Sequence, residues 1–178
     1  MHKHLFNDLL ETLRPHLSRT RIISNEGQNI KPLLDLFRSL PSSMDNLRTL
    51  ELRADDASSH PLVEGTVLNL FAEGAPYLQE VIFEEIPLNL VMFPTDNITK
   101  LCLVQSEICI LQLGTLLQSV ASTLQWLSIE LNYVIPPQNN LTIPFQRSIN
   151  PTHLPNLHTL ELGEDGILIS TYILTNFW

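Results

Sequence analysis

The feature that most limits how this chain can fold is a string that occurs twice. Asn46 to Leu52 reads NLRTLEL and Asn156 to Leu162 reads NLHTLEL, and the two differ only at Arg48 and His158. A string repeated at such a distance marks a chain assembled from copies of one supersecondary unit. Both copies place apolar residues at the first, fourth and sixth positions of an L-x-x-L-x-L frame. Leu78, Val81 and Phe83 fill the same frame, as do Ile98, Leu101 and Leu103, and then Leu124, Leu127 and Ile129. A weaker copy near the start uses Leu17, Thr20 and Ile22.

The frames therefore start at 17, 47, 78, 98, 124 and 157, with spacings of 20 to 33 residues. Uneven spacing of this kind points to connecting segments of varying length. Three positions after the last apolar residue of each frame stand Asn25, Asp55, Ile86, Ser106, Asn132 and Asp165. Five of these six can bond backbone groups of a turn leaving a strand, and Ile86 breaks the rule. Between frames, apolar residues recur at helical spacing. Leu5, Leu9, Leu10 and Leu13 predict one helix before Pro15, and Leu33, Leu34, Phe37 and Leu40 a second before Pro41. Val67, Leu68 and Phe71 predict a third, stopped by Gly74 and Pro76, and Ile110, Leu113, Leu116, Leu117 and Val120 a fourth. The repeat from 78 is too short for a full helix. The stretch 134–155 holds Pro136, Pro137, Pro144, Pro151 and Pro155 and is expected to be an irregular loop.

One strand and one helix cannot bury a core alone, but stacked units can. The expected fold is α/β: a leucine-rich-repeat-like solenoid, with a parallel concave sheet of about six short strands and with helices and loops on the convex side. An ordinary α/β domain is the plainer alternative, but it does not account for the repeated string. Residues 1–178 are expected to form a single domain of this kind. The ending ILISTYILTNFW is apolar where a solenoid needs a polar cap. It either folds back over the last coil or marks the chain as a fragment of a longer one.

The segments TLRPHLSRTRIIS and LFRSLPSSMDNLRTLEL, followed by YLQEVIF, TLQWLSI and LPNLHTLEL, resemble the repeat region of fungal F-box and leucine-rich-repeat proteins. The likeness spans residues 5–165. In that family an N-terminal F-box of about forty residues docks on the adaptor of a cullin-type ubiquitin ligase, and the repeats select substrates. The resemblance thus implies the substrate-recognition half of such a subunit. No F-box precedes the first frame, so contact with the ligase adaptor would require one outside this chain.

Alternate side chains of each strand face the concave side. From the frame starts, these are Arg19, Arg21 and Ile23, then Thr49, Glu51 and Arg53, then Glu80, Ile82 and Glu84. Next come Lys100, Cys102 and Val104, then Trp126, Ser128 and Glu130, and last Thr159, Glu161 and Gly163. The face is expected to run from basic to acidic. Large aromatics and Arg dominate interface energetics, so Trp126 is the expected anchor for a protein partner. Arg19, Arg21 and Arg53 with Glu80, Glu84, Glu130 and Glu161 are expected to set charge preference. A merely solvated face, with Trp126 covered by its neighbours, is the plainer reading.

Composition narrows the rest. Ten Lys and Arg against 19 Asp and Glu give a net charge of −9, contrary to the basic face that nucleic acid or an anionic membrane needs. Cys102 and Cys109 are the only two cysteines, which does not suit a secreted disulfide scaffold. The start lacks a signal-peptide core, and no apolar run reaches membrane-span length. A cytoplasmic or nuclear location is expected, and the N-x-T triplets at Asn97 and Asn140 leave that unchanged. Neither a G-x-S-x-G elbow nor a phosphate loop occurs. His153 and His158 flank Pro155, and Glu84 and Glu85 alternate in direction, so neither pair suits metal or acid–base chemistry. The expectation is therefore a non-catalytic interaction module without a cofactor. A structural or truncated repeat fragment is the second reading, and a small α/β enzyme the third.

Overall fold

The computed structural model of the chain describes residues 12, 16–17, 19–27, 38–54, 67–88, 91–130, 133–135 and 153–163. The elements begin with β1 (Ile22–Gly27), β2 (Thr49–Ala54), β3 (Leu68–Asn69), β4 (Glu80–Glu84) and β5 (Val91–Met92). They continue with β6 (Lys100–Val104), β7 (Glu107–Cys109), α1 (Ile110–Val120), β8 (Trp126–Glu130), β9 (Tyr133–Ile135) and β10 (Thr159–Leu162). The architecture is α/β. Six strands form one sheet in the order β1-β2-β4-β6-β8-β10, and every pairing within it is parallel. Two smaller parallel ladders, β3–β5 and β7–β9, advance in the same direction.

One register runs through the sheet. Leu50, Val81, Leu101, Leu127 and Leu160 stand in one column, and Leu52, Phe83, Leu103, Ile129 and Leu162 in the next but one. With two-residue alternation, both columns fall on the same face, and that face is the core. In β2, β4, β6 and β8 these residues are fully or almost fully buried. The frame's first residues Leu47, Leu78, Ile98 and Leu124 are buried with them. Helix α1 closes over this side with Leu113, Leu117 and Val120, spaced to form one helical stripe. Phe83 also meets Phe93 edge to face, ring centres 5.3 Å apart. At β10 burial falls off: Leu157, Leu160 and Leu162 are only half-buried.

The frame extends beyond its leucines into the backbone. A turn precedes each of four strands, closed by N–H groups of Leu47, Leu78, Ile98 and Leu157 that donate to Met44, Ala75, Thr95 and Leu154. Pro76 and Pro155 sit at the second turn position, where their fixed φ is an advantage. Just after each turn one carbonyl accepts two N–H groups from the next strand: Arg48 O from Gln79 and Glu80, Gln79 O from Thr99 and Lys100, Thr99 O from Gln125 and Trp126. Side chains add clips between turns. Asn97 Nδ2 donates to Pro76 O, and Asn156 Nδ2 donates to Ser122 O. The position after the strand is equally repeated: Glu85 and Gln105 both lie at positive φ, 56° and 49°.

Three expectations require correction. The first frame begins at Thr20 rather than Leu17, because Ile23 pairs with Leu50 and Thr20 N–H closes the turn onto Leu17 O. A shift of three residues is odd, so it exchanges the two faces of β1. Ile23 packs against the core and Ile22 is 62% exposed. Asn25 consequently pairs with Leu52 instead of occupying the turn position. The helix expected at Val67, Leu68 and Phe71 is absent from the described residues 67–74. Leu68–Asn69 pairs with Val91–Met92, and the chain then turns through Phe71 at φ 55° and Gly74 at φ 117°, neither compatible with a right-handed helix. The expected loop over 134–155 starts inside β9.

The fourth helix forms as expected over Ile110–Val120. The first two helices lie largely outside the described residues, which show helical conformation only at 12, 16–17 and 38–39 in those stretches. Asp55, Asn132, Asp165 and the ending from 164 onward also lie outside them. Ser106 is fully buried, its hydroxyl 3.2 Å from Val104 O and 3.5 Å from Phe83 O. Ile86, at the same place one unit earlier, is buried as an apolar plug. Among the described residues, no helix is long and apolar enough to cross a membrane.

Candidate functional site

The alternation that buries one face presents the other. Three rows of side chains cross it. The first holds Ile22, Thr49, Glu80, Lys100, Trp126 and Thr159. The second holds Ser24, Glu51, Ile82, Cys102, Ser128 and Glu161. The third includes Arg53, Glu84, Val104 and Glu130, and Gly163 continues it past Glu130.

The structure links the first row side by side. Thr49 Oγ1 donates to Glu80 Oε2 at 3.1 Å, Lys100 Nζ lies 3.6 Å from Glu80 Oε1, and the same ammonium sits 5.2 Å from the Trp126 ring centre. The other two rows join through Arg53. Its guanidinium reaches Glu51 Oε1 at 2.6 Å and Glu84 Oε2 at 3.2 Å, while Ser24 Oγ donates to Glu51 Oε2. All these partners are partly exposed, so each ion pair contributes about 0–1 kcal/mol. The cation–π contact contributes about 0.5–1 kcal/mol. Their main effect is to fix side-chain positions on β2 and β4.

The other half of the face differs. Among the described residues the side chains of Glu130 and Glu161 make no ion pair or hydrogen bond. Trp126 is 38% exposed. Half-buried Ile82, Cys102 and Val104 form an apolar floor between the two halves.

Six of the eight residues expected at a partner site therefore share this face: Arg53, Glu80, Glu84, Trp126, Glu130 and Glu161. Arg19 and Arg21 do not. Both are exposed but precede β1, at the rim where the chain enters the sheet. The expected basic-to-acidic gradient fails with them, since Ile22 and Ser24 occupy the face of the first strand and, among the described residues, the cations of the face are Arg53 on β2 and Lys100 on β6. Alternation along the strands places Glu51 and Lys100 on the face without assigning either a role, and each is a link between its neighbours. The turn spacing Leu17-x-x-Thr20, matched to Met44-x-x-Leu47, was the available signal for the correct first frame.

A groove of about 510 Å³ lies elsewhere, between α1 and the β3–β5 ladder, lined by Val67, Val91, Met92, Phe93 and Leu116 among others. Among the described residues, no group of three or more His, Cys, Asp or Glu could hold a metal ion. The chain matches no protein-family model, no curated protein and no solved structure.

Proposed function

We propose that this chain is a leucine-rich-repeat-like solenoid that binds another protein through the presented face of its parallel sheet and catalyses nothing. The supporting observation is the face itself. It is assembled from every strand of the sheet, with one register, and it carries a partly exposed Trp126 beside an apolar floor. Strand order that follows chain order, with the same turn before five of the six strands, supports the solenoid reading. The likeness to fungal F-box and leucine-rich-repeat proteins makes substrate recognition for a ubiquitin ligase the specific form of this role, in the cytoplasm or nucleus. The ligase adaptor is a partner only through an F-box outside this chain.

The test is site-specific photo-crosslinking in the native cell. A crosslinker at Ser128, on the presented face, is compared with one at Gln118, on the exposed side of α1. Adducts from Ser128 that disappear with Trp126→Ala, and are absent from Gln118, support the reading. Equal adducts from both positions, or none from Ser128, refute it. Co-purification of the crosslinked adduct with the ligase adaptor decides the ubiquitin branch separately.

A further inference from the structure

We infer that the half of the face built by β6, β8 and β10 receives a cationic segment of the partner, an Arg or Lys side chain next to an aliphatic one. This rests on the proposed binding role and names the partner's chemistry. The face carries five described carboxylates, and the structure divides them. Glu51 and Glu84 are engaged by Arg53, and Glu80 by Lys100 and Thr49. Glu130 and Glu161 are left without a partner among the described residues. Among the described residues, the negative charge available to a ligand is therefore concentrated at one end of the sheet.

Backbone geometry brings these two carboxylates towards one another. Glu161 pairs in register with Ser128, and Glu130 stands two residues further along that neighbouring strand. Strand spacing and rise place their Cα atoms about 8 Å apart. Gly163 completes the arrangement. A Cβ at that position would lie 2.6 Å from Glu130 Cγ and 2.9 Å from its Cβ. Glu130 thus leans into space that only a glycine leaves open, over the strand that carries Glu161. One guanidinium can reach both carboxylates.

The surroundings supply the second half of the match. Trp126 lies four residues before Glu130 on β8, roughly 13 Å along the strand. Between them lies Ser128, with Cys102 beside it one strand over and Val104 beside Glu130. An aliphatic side chain next to the bound cation falls on this floor and against the indole. One side of the indole is already taken by Lys100, whose own charge is directed to Glu80. The net charge of −9 adds a long-range attraction for a basic partner.

The probes are a short Gly/Ser peptide bearing Arg-Ser-Leu-Ser-Arg and its counterpart with Glu in place of Arg. Binding to the full chain is followed by fluorescence anisotropy. The basic peptide is expected to bind on the order of tenfold more tightly than the acidic one, and to weaken as salt rises from ~50 to ~300 mM. Glu130→Gln combined with Glu161→Gln should remove most of this preference. Glu73→Gln, an exposed carboxylate off the face, should change it less than about twofold. Equal binding of both peptides, no measurable binding of the basic one, or a double variant that behaves as the parent overturns the inference. Failure here is distinct from failure of the binding role. If crosslinks at Ser128 depend on Trp126 but are indifferent to Glu130→Gln and Glu161→Gln, the face binds a partner of other chemistry.

Discussion

Leu101 and Leu160 occupy the same column of the same sheet, and truncating each to Ala should cost very different amounts. Leu101 is completely buried, with Val81 on one side and Leu127 on the other. Removing three carbons forfeits about 2.4 kcal/mol of transfer free energy at ~0.8 kcal/mol per group. A residual cavity of roughly 50 Å³ adds about 1.2 kcal/mol. The sum, about 3.5 kcal/mol, should lower the melting temperature by about 10 °C in a chain of this length. Leu160 lies on the edge strand and is only half-buried. Among the described residues it has one flanking neighbour in the sheet, Leu127, so truncation at this half-buried position is expected to add no closed cavity. Its expected cost is about 1 kcal/mol, or roughly 3 °C. Urea unfolding followed by far-UV circular dichroism measures both variants on one scale. Equal losses, or a Leu101→Ala loss below about 1 kcal/mol, would refute the reasoning that the core is centred on β4, β6 and β8 and thins at β10.

Other outcomes follow from single contacts. Gly163→Ala should destabilise by about 1–2 kcal/mol, because the added methyl meets Glu130 Cβ and Cγ and approaches its Cα at 3.2 Å. Placing it on Glu130→Ala should recover part of that loss, which a double-mutant cycle in urea detects. Ser106→Ala removes a hydroxyl bonded within the core and should cost about 1 kcal/mol by the same assay. Gln105→Gly relieves a positive φ of 49° and should leave stability unchanged or raise it by up to ~1 kcal/mol in thermal melts. Arg53→Ala should cost under about 1 kcal/mol, yet nuclear magnetic resonance should show the Glu51 and Glu84 side chains released together.

The parallel sheet was legible because its frame is carried by side chains that must be buried. Leu50, Phe83, Leu101 and Ile129 announce their positions by being apolar every second residue, and the register follows. The first strand admits two frames because Ile22 and Ile23 are adjacent and both β-branched, so the pattern fits with either one inward. Only the turn ahead of them, closed between backbone groups, distinguishes the two. The segment at Val67 misled for a related reason: Leu68, Leu70 and Phe71 are all buried, and so dense a run carries no period. On the presented face, alternation placed the residues but could not say which were engaged. That Arg53 serves two carboxylates while Glu130 and Glu161 have no partner among the described residues depends on cross-strand neighbours, which no single stretch of sequence displays.

The paired hydrogen bonds at each strand entry have a consequence for how such a chain can change length. Arg48, Gln79 and Thr99 each offer the next strand the same acceptor, and each strand offers the same two donors in return. A join between any two of these units would therefore close with the bonds used now. Excising the stretch from one frame start to the next would set Leu50 beside Leu101, and duplicating it would repeat a seam already present. Insertions or losses that are whole multiples of the unit leave the seams of the six-stranded sheet intact, whereas one of a few residues inside a strand must break at least one. Such a molecule is edited most safely by the unit, and its presented face widens or narrows by one strand at each edit.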